Sequence, residues 1–135
     1  MITIRNMLEM KEYYVKEVNT YEFNDDVEFL CDIYVQANIK AWHIKANIIK
    51  SYDIKAFDIK AENINTWDIN ARNIDVWNID ALNITANNIT AKNISYFAVC
   101  VAYDSIHCNS IKGIRKNAKH FVLDGKLVVK GRNKI

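Results

Sequence analysis

Few residues in this 135-residue chain have types and spacing that could do chemistry. Cys31, Cys100 and Cys108, with His107 and His120, sketch a Cys/His metal site. Zinc sites, however, use paired ligands two to four residues apart, and this chain has an odd cysteine count and no C-x-x-C pair. The plainer reading is buried or spare thiols, because free cysteine behaves as a small hydrophobe. The aspartates recur with a strict period, which suits acids placed at structural corners rather than at a catalytic cleft. His43 occupies the position that Asn or Asp fills elsewhere in the same pattern. No nucleophile motif, glycine-rich phosphate loop or carboxylate pair is legible. The expectation is a protein that is not an enzyme and uses neither cofactor nor metal.

That period organises the chain. Every fifth residue from Ile39 is isoleucine (Ile44, Ile49, Ile54 and onward to Ile94), and Val99 closes the series. Two residues after each isoleucine comes a small one: Ala41, Ala46, Ser51, Ala56, Ala61, Thr66, Ala71, Val76, Ala81, Ala86, Ala91, until Tyr96 breaks the run. Asn or Asp precedes every isoleucine from position 54 to position 94. A period of five fits neither a free helix nor a coiled coil and marks a repeat architecture. In extended chain, residues two apart face the same side, so each Ile and its small follower point inward while Lys40, Lys45, Lys50, Lys55 and Lys60 point out. The remaining two positions make the corner. Proline is absent and glycine appears only three times, so the periodic Asn and Asp, which tolerate left-handed backbone, are the candidates for turning the chain.

Five residues per side around a closed core predict a four-sided coil of about twenty residues. Lys55 then pairs with Asp75 and Lys60 with Asp80, Phe57, Trp77 and Phe97 form one aromatic column, and Tyr52 meets Arg72. A three-sided hexapeptide helix needs a period of six. The expected fold is an all-β parallel β-helix in one domain: residues 1–33 as an N-terminal cap, 34–99 as the repeat and 100–135 as a C-terminal cap. Residues 6–14 fit either a short helix, with Asn6 as cap and Glu9 three positions on, or a strand. The alternating Val27, Phe29, Cys31, Ile33 and Val35 read as a strand, and with the turn at Asn24-Asp25-Asp26 they predict a hairpin over 13–35. Asp124-Gly125 between two apolar runs predicts a second hairpin. Stacked coils expose unpaired backbone at their ends, and two hairpins would serve as caps.

The five-residue period, the [N/D]-Ile dipeptide and the small/large inward pair over 39–99 resemble the pentapeptide-repeat family. That resemblance implies a right-handed, four-sided β-helix. The family's usual motif places the small residue two before the large one, and here it follows by two, as in Ile44 and Ala46. Either isoleucine takes the family's small-residue slot or the side is rephased. Some family members protect topoisomerases by mimicking DNA, which needs a continuous acidic face. The five outward lysines disfavour that role here.

Two features carry functional weight. Trp42, Phe57, Trp67, Trp77 and Phe97 lie at outward or corner positions and read either as an interface or as corner braces. Lys112, Arg115, Lys116 and Lys119 read either as a phosphate-binding patch or as a solvated cap surface. Charge is lopsided: net −5 over 1–38, +1 over 39–99 and +6 over 100–135. An acidic start and a basic end suit contacts between copies. No signal peptide or membrane span is legible, which places the protein in the cytoplasm. The function these features favour is a rigid protein–protein interaction or self-association module, a homodimer above all. The alternative is a phage or mobile-element factor that binds nucleic acid or a topoisomerase through its basic end.

Overall fold

The computed structural model describes residues 1–130. The last five residues of the expected C-terminal cap, with Arg132 and Lys134, lie outside the described residues. The chain winds into a parallel β-solenoid of about six turns. Its inward positions are the ones the period selects: Ile39 to Ile94 and the alanines that follow them are buried. Each isoleucine so buried contributes about 1.5–3 kcal/mol before chain entropy is subtracted.

Residues fifteen apart stack, which corrects the expected four-sided, twenty-residue coil. Ile59, Lys60 and Ala61 lie beside Ile74, Asp75 and Val76 in parallel register. The same offset joins Ile39 to Ile54, Ile44 to Ile59 and Ile49 to Ile64. Three pentads close one coil, so the solenoid has three sides. The reason lies in the large inward residue. Isoleucine branches at Cβ and reaches only a short way in; three of them meet on the axis, whereas four would leave a void that close packing disfavours.

One face stacks Tyr21, Ile39, Ile54, Ile69, Ile84, Cys100 and His120. A second begins Ile2, Val27, Ile44, Ile59, Ile74 and ends Ile89, Ile106, Leu127. The third runs Ile33, Ile49, Ile64, Ile79, Ile94, Ile111. Above Leu82 and again above Asn87 the register slips, so the upper coils are longer than fifteen residues.

The ends depart from the expected hairpins. At the N-terminal end, only Tyr14–Val15 pairs antiparallel, with Thr20–Glu22. Val27–Phe29 and Ile33–Tyr34 are parallel rungs of the solenoid, and Asn24-Asp25-Asp26 is a corner. The cap itself is a 3-10 helix, Met7–Tyr13, and the Asn6 side chain accepts from the Glu9 amide while the Glu9 carboxylate accepts from the Arg5 amide. This helix buries Met10 completely and packs Tyr13 on Phe23 at 4.7 Å between ring centroids. At the other end, Lys119–Val122 and Lys126–Val129 each pair in parallel with the coil below. Asp124-Gly125 is therefore a corner too. Gly125 is required there because a Cβ would collide with the Asp104 carbonyl.

The periodic Asn and Asp do not turn the chain through left-handed backbone. Asn19, at φ 48°, is the one positive-φ residue among the described residues. They clamp one coil to the next instead. Asn73 Nδ2 donates to Asp58 Oδ1 at 2.8 Å, Asn88 Nδ2 to Asn73 Oδ1 at 3.0 Å, and Ser105 Oγ to Asn88 Oδ1 at 2.8 Å. A second ladder climbs from Asn63 through Asn78 and Asn93 to Ser110. In a third, Asn83 Nδ2 donates to Asp68 Oδ1 at 2.9 Å. An amide both donates and accepts and so continues a ladder, a carboxylate accepts from the amide above it, and a serine hydroxyl donates at the top.

Candidate functional site

Each coil has three corners, and corner residues fifteen apart align into three edges. One edge carries Trp42, Phe57, Arg72, Asn87 and Tyr103. The amides of Phe57 and Arg72 donate to the carbonyls of Trp42 and Phe57, each at 2.7 Å. A second carries Asn47, Glu62, Trp77, Lys92 and Asn109, with the Lys92 amide donating to the Trp77 carbonyl. The third carries Tyr52, Trp67, Leu82 and Phe97, with Arg115 on top. The five predicted aromatics are thus exposed, but the expected column of Phe57, Trp77 and Phe97 does not form, since each of the three stands on a different edge. Trp42 and Phe57 share one edge, Trp67 and Phe97 another, and Trp77 stands on the remaining one. Residues fifteen apart meet where residues twenty apart do not. Lys60 faces Asp75, Arg72 lies over Phe57, and Tyr52 stacks on Trp67.

The Trp67 edge is an apolar ridge. Tyr52 and Trp67 stack at 3.8 Å and 11° between planes, so neither ring must be ordered on contact. Leu82 and Phe97 extend the ridge over four successive coils, each with a large part of its surface in water. Arg115 sits over Phe97 at 6.0 Å. The Trp77 edge is polar by contrast: Lys92 Nζ covers the indole at 4.3 Å between Glu62 below and Asn109 above.

The Trp42 edge forms one wall of a groove of about 340 Å³. Its floor is Ala41, Ala56, Ala71 and Ala86, and its opposite wall is Lys40, Lys55, Asn70 and Thr85. The Arg72 guanidinium lies over the Phe57 ring at 4.4 Å, close enough for a cation–π contact that fixes its plane. Sequence reasoning missed Lys40, Lys55, Arg72 and Tyr103 as members of one surface, because only the fifteen-residue register brings them beside Trp42 and Phe57.

Lys112, Arg115, Lys116 and Lys119 are exposed on the last coil, from the Ser110–Gly113 strand across the corner to the start of Lys119–Val122. His43 continues a ladder, as its position implied. Its Nδ1 meets Asp26 at 2.7 Å and its Nε2 meets Asp58 at 2.9 Å. Cys100 and Cys108 lie in the core while His107 between them is exposed. Burial pushes the Cys100 thiol up to about 12, and raises Cys108 and Cys31 as well. Thiols held protonated are poor nucleophiles and poor ligands. Among the described residues no group of three His, Cys, Asp or Glu is arranged to hold a metal ion. No helix among them is long and apolar enough to cross a membrane.

The upper core shows how the repeat stops. Tyr96 enters the column of small residues above Ala81 and is buried, with its hydroxyl against His120 Nδ1. Gly113 lies above Tyr96 in register, and a Cβ there would come within 2.8 Å of the Tyr96 hydroxyl. Lower in that column the Thr66 hydroxyl is buried without a hydrogen-bond partner. No family model, curated protein or solved structure matches this chain.

Proposed function

We propose that this chain is a non-enzymatic solenoid of pentapeptide-repeat type, working in the cytoplasm as a rigid self-association module through its Trp67 edge. The period and the small/large inward pair support the family reading, and the three-sided coil is its departure. One observation carries the function: Tyr52, Trp67, Leu82 and Phe97 form an apolar ridge on four successive coils, with the Tyr52 and Trp67 rings already stacked. Monomeric proteins rarely leave such continuous apolar surface uncovered.

The occupant that fits is a second copy, antiparallel, about a two-fold axis crossing the middle of the ridge. That arrangement sets Tyr52 against the partner's Phe97 and Trp67 against the partner's Leu82, so one patch complements itself. It also brings the acidic N-terminal segment of one copy, net −5 over 1–38, towards the last coil of the other with its Lys112, Arg115, Lys116 and Lys119. Light scattering over a concentration series tests it. The wild type should dimerise, more weakly as salt rises. Trp67→Ser with Phe97→Ser should weaken association by at least about tenfold while the β spectrum stays intact. A strictly monomeric wild type at high concentration, or a double variant that associates as well as the wild type, would overturn the reading.

A further inference from the structure

From the groove along the Trp42 edge we infer a second binding site, separate from the ridge, for single-stranded nucleic acid. The groove climbs from Phe23 and Asn24 to Tyr103 across six levels, a rise of about 24 Å at the spacing of neighbouring strands. Its two walls differ in chemistry. Trp42, Phe57 and Tyr103 present aromatic rings at the corner, while Lys40 and Lys55 stand on the facing wall and Arg72 lies over Phe57. None of the residues lining it is acidic, and Glu22 is the carboxylate in register with Lys40 on the strand below.

Lys40 and Lys55 are direct register partners on adjacent strands. Like charges in that position repel, and an anion lying across both relieves the repulsion. A polymer that alternates planar rings on one side with phosphates on the other matches the two walls. Bases stack on the aromatic wall and phosphates follow the cationic one, the arrangement by which single strands are held without sequence preference. Asn70, Thr85 and Asn87 add donors and acceptors for base edges. The length accommodates about four nucleotides, the lower bound of site sizes on such surfaces. A duplex keeps its bases stacked on each other and offers no ring face to Trp42.

The test is fluorescence anisotropy with labelled twelve-nucleotide single strands of DNA and of RNA, the same sequence as duplex, and poly-glutamate of matched charge. Binding of either single strand is expected at about 50 mM salt, with a dissociation constant between about 1 and 100 µM, and the two separate arms tell DNA from RNA. Trp42→Ser should weaken it about tenfold. Lys40→Gln with Lys55→Gln and Arg72→Gln should weaken it further and lower the logarithmic salt slope by about 2. These side chains point outward, and an unchanged β spectrum verifies the fold of each variant. Replacing Lys112, Arg115, Lys116 and Lys119 by Ser should leave groove binding in place. The inference is overturned by no binding at about 100 µM protein, the weak limit of non-specific affinity. It is equally overturned by groove variants that bind like the wild type. Poly-glutamate binding as tightly, and losing as much in Trp42→Ser, would make the groove a site for acidic peptides instead. Because the ridge variants leave the groove intact, the dimer and the groove fail or stand separately.

Discussion

The Trp67 edge and the Trp42 edge flank the same face, on the same coils, and share one row of buried isoleucines from Ile39 to Ile84. The first packs its aromatic rings against each other and ends as an apolar ridge. The second lines its rings along an alanine floor opposite lysines and ends as a cationic groove. Backbone and core do not account for the contrast. It lies in the corner residues, which escape the pentad pattern: Tyr52, Trp67, Leu82 and Phe97 stack on one edge, and Trp42, Phe57, Arg72, Asn87 and Tyr103 on the other. A solenoid of this kind separates its stability from its surfaces, and neighbouring edges can carry unrelated chemistry.

The shared face is where that comparison breaks most completely. Ile69→Ala removes a core residue between both edges and should cost about 2–5 kcal/mol. Urea denaturation should show the loss, and ridge association and groove binding should fall together. Next in size is the ridge double substitution, Trp67→Ser with Phe97→Ser, which should abolish dimer formation at micromolar concentration and leave groove affinity unchanged.

Two smaller effects sharpen the separation. Thr66→Val deletes the buried hydroxyl without a partner, nearly at constant shape, and should raise stability by about 1 kcal/mol with neither edge altered. The shift of the urea midpoint measures it. Cys100, on the shared face, sets a pH dependence. Its thiol rises from 9.0 when free to about 12 when folded, because burial disfavours the thiolate, so the unfolded chain loses its proton first. Stability from this group is complete below about pH 9 and is lost progressively as pH rises towards 12. Urea midpoints at pH 8 and pH 10 should therefore differ more in the wild type than in Cys100→Ala.

Much of this was legible in the residues. The inward pairs, the outward lysines and the exposure of all five aromatics follow from spacing, while the Asn6–Glu9 cap is one of two readings of its segment and the structure decides for the helix. The register of the coil did not follow. In a repeat of five, Asn lies over Asn whether the coil holds fifteen residues or twenty, so ladders discriminate poorly between them. The discriminating signals were the irregular residues: Tyr52 with Trp67, Phe57 with Arg72, and the order Asp, Asn, Ser up one ladder. The terminal hairpins failed for a different reason. Asp124-Gly125 is a strong local turn signal, but the unpaired edge of Asn93–Cys108 accepts both flanking strands in parallel, and this long-range pairing overrides local preference.

The fifteen-residue coil also sets how this molecule tolerates changes of length. Loss or gain of one pentad preserves every inward and outward assignment, so the core still closes. Everything beyond the change is nevertheless carried one side round the axis. Phe97 would leave its ridge, and Tyr103 would leave its groove. Three pentads together restore the alignment and merely make the column taller. Which side chains become neighbours is thus decided by counting pentads in threes, as on a dial with three positions, and a length change invisible to the core can rewrite the whole exterior.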